Sequence, residues 1–110
     1  MGEMIELKQH KGLAERWMGE SLAFWMVNIG SEVSRAVKNK DKPVRFQGAF
    51  ERALELFDLT IYALQQRGEY VRIKEICYAR EEFCSYFYEG DIVVDVEKMQ
   101  RYYDQFAARL

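Results

Sequence analysis

The run AFERALELFDLTIYAL, residues 49–64, places the strongest constraint on what this chain can fold into. At the helical angle of about 100° per residue, its apolar side chains cover about half of the circumference. This arc is wider than a single contact stripe, so we expect the helix to be covered on at least two sides. Arg52 and Glu55 fall on the opposite side of the wheel, and we expect them to face solvent.

A helical pattern also precedes this run. From Leu13 or Ala14 to about Asn39, one apolar stripe recurs at helical spacing: Met18, Leu22, Trp25, Ile29, Val33 and Ala36. Gly30 with Ser31 interrupts the middle of the stripe, a pairing that marks either a kink or a close approach of another helix. The sequence therefore predicts a long first helix with a bend or a close neighbour near Gly30.

Turn signals divide the rest of the chain into three more helices. Pro43 predicts the start of the second helix, and Gly68 a left-handed end after about Arg67. A third helix is expected over 69–88, closed by Gly90, and Asp95 can cap a fourth that runs to Leu110. The short links favour antiparallel neighbours, so we predict an all-α, antiparallel up-and-down four-helix bundle. The 110 residues fit one domain, with residues 1–12 as a loose N-terminal arm.

Charge and cysteine content narrow the classes of function. A net charge of −2 provides no general attraction to nucleic acid or to anionic membranes. Cys77 and Cys84 are seven residues apart on one predicted helix, a Cα separation of roughly 10 Å that is too long for a disulfide. Both are expected to be small core residues. Without a signal peptide or an apolar run of about 18 residues, the chain is predicted to be cytoplasmic.

Arg80 raises the main electrostatic question of the sequence. It lies in the centre of an apolar stripe on the third helix, formed by Ile73, Ile76, Cys77, Phe83, Cys84 and Phe87. Because a guanidinium keeps its charge, a buried Arg80 needs an anion. Glu32, Asp58 or both are candidates, and the side chains that can complete the hydrogen bonds are Thr60, Asn28 and Arg35.

Three interpretations of Arg80 remain open. A buried polar network that fixes the helix register is favoured about two to one over a functional site. The functional alternative is a site for a small anionic ligand. In the third interpretation, Arg80 extends to an edge of the bundle and leaves only its aliphatic stem in the core.

The sequence predicts no catalytic residue, metal or cofactor. His10 is the only histidine and lies outside the predicted bundle. A carboxylate site from Glu32, Glu55 and Asp58 is weakly supported, because nearby arginines outnumber the acids. Neither thiol has a recognisable base, and no Gly-rich phosphate loop is present.

Two surface features suggest binding. A basic turn can contact phosphate through Arg35, Lys38, Lys40, Lys42 and Arg45, although a solvated turn is favoured about three to one because interleaved aromatics are lacking. Four tyrosines fall beside the core stripes: Tyr62, Tyr78, Tyr86 and Tyr88. They suit a self-association or partner surface and half-buried bundle edges about equally.

The runs SEVSRA, residues 31–36, and AFERALELFDLTI, residues 49–61, resemble those of a family of small uncharacterised prokaryotic helical proteins. More remotely, the layout resembles HEPN-type bundles, which include ribonucleases and the helical partners of minimal nucleotidyltransferases. HEPN nucleases carry an arginine and a histidine a short distance apart on a late helix. No histidine follows His10 in this chain, so the resemblance implies no nuclease residues. It implies a non-catalytic role as a partner, for example of a minimal nucleotidyltransferase. We predict an intracellular interaction module that forms a homodimer or pairs with such a protein partner.

Overall fold

The computed structural model describes residues 14–88, 90 and 92–110, and within these ranges the protein is entirely helical, without a strand. The α-helices are α1 (Ala14–Met18), α2 (Leu22–Lys38), α3 (Pro43–Gln66), α4 (Tyr70–Phe87) and α5 (Val96–Asp104), followed by a 3-10 helix at Gln105–Arg109. The predicted all-α class is therefore confirmed. The predicted arm at 1–12, with His10, lies outside the described residues.

Helix α3 is the central element, because α1, α2 and α4 all pack against it. Its buried side chains are Ala49, Phe50, Ala53, Leu56, Phe57, Leu59, Thr60, Ala63 and Leu64. The wide apolar arc of the run 49–64 thus has neighbours on more than one side, as its width predicts. Most of the stripe predicted for the preceding helix is also buried. Trp25, Ile29, Val33 and Ala36 are fully inaccessible to solvent, whereas Met18 and Leu22 are partly buried.

The predicted continuous first helix is wrong, because the chain breaks between α1 and α2. Ser21 adopts an extended conformation there, and its hydroxyl accepts a hydrogen bond from the Phe24 amide at 3.1 Å. This is the usual N-cap geometry, and Gly19 just before it disfavours a continued helix. Arg67, at the end of α3, donates hydrogen bonds to the carbonyl oxygens of Met18 and Glu20, both at 2.6 Å.

The break allows α1 to fold back onto α3. Trp17 is buried, and its Nε1 donates a hydrogen bond to the Thr60 hydroxyl at 3.1 Å. The Trp25 Nε1 donates to the Trp17 carbonyl oxygen at 2.6 Å. The guanidinium of Arg67 also lies 4.5 Å from the centroid of the Trp25 ring, within the range of a cation–π contact. Two indoles and one guanidinium therefore hold the short α1 in place.

Gly30 marks a close approach of helices, the second of its two predicted roles. Helix α2 continues through it, and a β-carbon placed at Gly30 would lie 2.6 Å from the Cβ of Tyr103. Carbon atoms in good contact are about 3.5–4.0 Å apart, so only glycine leaves room for α5 at this distance. The Tyr103 side chain is itself buried.

The predicted helix ends near Pro43, Gly68 and Asp95 are confirmed. Pro43 opens α3, and Gly68 follows its end with φ +71°, a left-handed conformation that glycine adopts at little cost. The Asp95 carboxylate caps α5 by accepting hydrogen bonds from the amides of Glu97 and Lys98, at 3.0 and 3.2 Å. Each of these ends depends on local backbone chemistry, which is why the sequence reveals it.

Helix α4 is the least embedded of the long helices. Only Ile76, Ala79 and Phe83 are buried along it. The prediction that both cysteines are core residues is wrong for Cys77, which is exposed, whereas Cys84 is partly buried. The inward face of α4 includes Ala79, and Cys77 lies outside that face. None of the described helices is long and apolar enough to cross a membrane.

Candidate functional site

Arg80 lies at the edge between α3 and α4 rather than in a closed core. Its Nε donates a hydrogen bond to Asp58 Oδ1 at 3.0 Å, and the two side chains are 35% and 54% exposed. This arrangement corresponds to the interpretation in which the guanidinium extends to an edge of the bundle. Of the two acids considered as partners, Asp58 is the one that the structure brings to Arg80. An exposed pair of this kind adds little stability.

Among the residues that the structure describes, Glu32 is the buried charged residue, and its partners are arginines other than Arg80. Its side chain is 8% exposed. One carboxylate oxygen accepts a hydrogen bond from Arg35, three residues further along α2, and the other accepts from Arg52 Nε on α3 at 2.6 Å. Two charge-assisted hydrogen bonds thus satisfy the buried carboxylate, and the one from Arg52 joins α2 to α3.

Arg52 corrects the expectation from the helical wheel, which placed it and Glu55 toward solvent. Both side chains are partly buried. A wheel of α3 alone places the charged side opposite the apolar arc, but α2 packs against a part of that side. The signal for the Glu32–Arg52 pair in the sequence is therefore Glu32 itself, an acid at the edge of the α2 stripe that requires a cation from a neighbouring helix.

A cleft of about 310 Å³ opens beside this pair, between the C-terminal end of α2 and the N-terminal end of α3. It is lined by Arg35, Asn39, Val44, Arg45, Gly48, Ala49 and Arg52. Asn39 is fixed at the end of α2, where its side-chain Nδ2 donates to the Arg35 carbonyl oxygen at 2.8 Å. Three guanidinium groups and no acidic side chain line this cleft, which makes it suitable for an anion.

The five cations of the predicted basic turn lie in different local environments. Arg35 and Arg45 line the cleft, whereas Lys38 lies along a second groove beside α5. Lys40 is placed over the Tyr86 ring, with its Nζ 4.7 Å from the centroid. Lys42 is the N-cap residue of α3. The five cations therefore do not form one continuous strip.

Thr60 and Asn28 do not take part in the Arg80 or Glu32 contacts. The Thr60 hydroxyl accepts from Trp17, as described above, and the Asn28 side chain donates to the Phe24 carbonyl oxygen at 2.8 Å. Of the three side chains predicted to complete the hydrogen bonds, Arg35 is the one that contacts a predicted acid, Glu32. The predicted network is thus divided into two separate ion-pair groups.

The four predicted interface tyrosines are not equally accessible. Tyr78 and Tyr88 are 57% and 59% exposed, while Tyr62 and Tyr86 are partly buried. Tyr86 also packs edge-on against the Phe87 ring, with the centroids 4.8 Å apart. Tyr70, which the sequence did not single out, is 65% exposed at the start of α4.

A second group of polar side chains lies between α4 and α5. The Tyr102 hydroxyl donates a hydrogen bond to Glu75 Oε2 at 2.6 Å, beside a cleft of about 290 Å³. Burial, followed by the hydrogen bond to Glu75, raises the pKa of Tyr102 above its ordinary value, so the phenol stays protonated and acts as a donor. Burial also raises the pKa of Glu82, which lines the same cleft.

The thiol of Cys84 is poorly suited to nucleophilic chemistry. Burial raises its pKa and outweighs the opposite effect of the Arg80 charge. A raised pKa lowers the fraction of thiolate, which is the reactive form. Within the described parts of the chain, no group of three or more His, Cys, Asp or Glu side chains is arranged to hold a metal ion.

Comparisons of the chain with protein-family models, with curated proteins and with solved structures found no match.

Proposed function

We propose that this protein is a non-catalytic interaction module that self-associates through the outer face of α4. This outer face consists of Tyr70, Lys74, Cys77, Tyr78 and Glu81. The observation that carries the proposal is the exposure of its two tyrosines, which are 65% and 57% accessible at positions 70 and 78. Residues three, four and seven positions apart share one side of a helix, so these side chains form one surface. Tyrosine is enriched in protein interfaces because its ring is apolar and its hydroxyl tolerates water.

The charges on this surface support a second copy of the chain as the partner. Lys74 and Glu81 are exposed and lie at equal distances along the helix from the point between Cys77 and Tyr78. If two copies of α4 pair antiparallel about a two-fold axis at that point, Lys74 of each copy faces Glu81 of the other. A symmetric contact repeats the attraction twice, and the same surface is complementary to itself.

The dimer is expected to be reversible. An 18-residue helix is roughly 27 Å long, and a contact along one of its faces buries less than the ~1,200 Å² that is typical of stable complexes. We therefore expect the dimer population to rise with protein concentration.

The fold and the remote resemblance provide the setting for this proposal. Contacts from α2 to α3, α3 to α4, α4 to α5 and α5 back to α2 support the antiparallel up-and-down four-helix arrangement, with the outer face of α4 away from the core. The resemblance to HEPN-type bundles suggests a minimal nucleotidyltransferase as an alternative partner for the same face. Two cysteines that are not joined to each other support a cytoplasmic setting.

Charge reversal tests the proposal by sedimentation equilibrium over a range of concentrations. The wild type should approach twice the 13.1 kDa chain mass as concentration rises. Lys74→Glu places two acids opposite each other in the dimer, and Glu81→Lys places two bases, so each single variant should stay monomeric. The double variant carries the same two substitutions but restores opposite charges, and it should dimerise like the wild type.

Three results would refute self-association through this face. The first is a wild type that stays monomeric at every concentration, which would leave the alternative partner as the remaining use of the face. The second is a dimer that both single variants retain, which would place the interface elsewhere. The third is a double variant that fails to dimerise although its circular dichroism matches that of the wild type.

A further inference from the structure

We propose that the cleft between α2 and α3, formed by Arg35, Arg45 and Arg52, binds the phosphate group of a small phosphorylated molecule. This site is distinct from the outer face of α4 and does not depend on self-association. The proposal is based on the charge in the cleft, on the way Glu32 holds two of the arginines, and on the space left at Gly48.

The cleft contains more positive charge than its own acid can balance. Its lining residues include three arginines and no aspartate or glutamate, and Glu32 behind them contributes one negative charge. The arginines keep their charge at any physiological pH, so a surplus of two positive charges faces the opening. A phosphate group carries nearly two negative charges at neutral pH, which matches that surplus.

Glu32 holds the guanidinium groups of Arg35 and Arg52 ready for a ligand. Each oxygen of its buried carboxylate is bound to one of the two arginines, so both are fixed relative to each other. A guanidinium has five N–H donors, and the bond to Glu32 uses one donor of each arginine. Their positions are therefore set before a ligand arrives, which reduces the entropy lost on binding.

Gly48 leaves the guanidinium of Arg52 room beside α3. A β-carbon at position 48 would lie 3.2 Å from Arg52 Nη1, closer than a comfortable contact. The first turn of α3 also lines the cleft through Val44 and Arg45, and no described side chain caps this end of the helix. The positive end of the dipole of a 24-residue helix thus adds to the field of the arginines.

The shape of the site favours a small molecule over a nucleic-acid strand. The cleft of about 310 Å³ is at the lower end of the range for small-molecule sites. The arginines converge on it, whereas Lys38, Lys40 and Lys42 lie in other surroundings and do not extend it into a track. The net charge of −2 does not attract a polyanion.

Titration calorimetry with pyrophosphate as the probe, followed by amide chemical-shift mapping, tests the proposal. The wild type should show one saturable site, with shift changes centred on Arg45, Gly48 and Arg52. Arg45→Gln should weaken binding at least about tenfold, because one charge-assisted contact is lost. Arg45 is exposed, so this variant should keep the stability of the wild type. Arg101→Gln removes an exposed arginine of α5 outside the cleft and should bind like the wild type.

The possible contrary results are distinct from one another and from a failure of self-association. Equal weakening by Arg45→Gln and Arg101→Gln would show that the probe responds to net charge alone, and would overturn the site. Absence of saturable binding to the folded wild type would overturn it as well. Binding of a single-stranded oligonucleotide in place of pyrophosphate, with an affinity that falls steeply with salt, would replace the proposal by nucleic-acid binding.

Discussion

Replacing Gly30 with alanine should push α5 away from α2 and lower the stability of the protein. The added β-carbon would lie 2.6 Å from Tyr103 Cβ and 3.2 Å from its Cγ. Since carbon contacts are comfortable at about 3.5–4.0 Å, the two helices must separate by about 1 Å. A change of rotamer provides no relief, because the Cβ of Tyr103 moves only with the backbone of α5.

The size of the effect follows from two opposing contributions. Overpacking a core costs about 1–3 kcal/mol, and a shift of a whole helix places this case near the upper end. Alanine in a helix interior is more favourable than glycine by about 1 kcal/mol. We therefore expect a net loss of about 2 kcal/mol in the free energy of unfolding. In a domain of this size, that loss corresponds to a fall in Tm of roughly 8–16 °C.

Gly48→Ala provides the matched control, because it makes the same substitution inside a helix. The nearest atom to its new β-carbon is Arg52 Nη1, at 3.2 Å, a side-chain atom that needs to shift by only a few tenths of an ångström. This variant should be as stable as the wild type or more stable by up to about 1 kcal/mol. Thermal unfolding followed by far-UV circular dichroism compares the two variants. If Gly30→Ala unfolds at the temperature of Gly48→Ala or above it, the close approach of α2 and α5 is refuted.

Two further predictions concern buried polar groups. Thr60→Val removes the acceptor of the buried Trp17 Nε1 and should lower the free energy of unfolding in urea by about 1–3 kcal/mol; an unchanged midpoint would contradict the hydrogen bond. Burial raises the pKa of Glu82 in the folded state above its ordinary 4.5. The folded state is therefore destabilised at a pH where this carboxyl ionises, and the destabilisation disappears as the pH falls below the pKa of Glu82 in the unfolded chain. Glu82→Gln should therefore match the Tm of the wild type in acid and exceed it at neutral pH; an advantage that shrinks as pH rises would contradict this.

The sequence predicted the helices best where local chemistry decides the structure. Pro43, Gly68 and Asp95 act through their own backbone or through bonds to neighbouring amides, and the structure places helix ends at all three. The break before Ser21 was missed because the apolar stripe continues across it. The Ser21 cap provides the local geometry of that break, and a tertiary contact stabilises it, since Trp17 donates to Thr60 on a helix far along the chain.

The electrostatic contacts were less predictable, because they depend on how neighbouring helices are rotated. The sequence indicates that Arg80 and Glu32 each need a partner, and each has one. It does not indicate which partner, because the wheel of α3 assigns Arg52 to solvent and gives no information on where α2 lies. The cleft brings together Arg45, which the sequence places in a basic turn, and Arg52, which the wheel of α3 places toward solvent.

The brief first helix has a consequence for the order in which the molecule forms. Helix α1 has five residues, which is too few to be helical alone in water. Its indole finds its acceptor 43 positions later in the sequence, at Thr60. During synthesis on the ribosome, the segment that emerges early must therefore wait without a fixed conformation until α3 has been made. Helix α1 thus becomes ordered only after a helix that follows it in the chain.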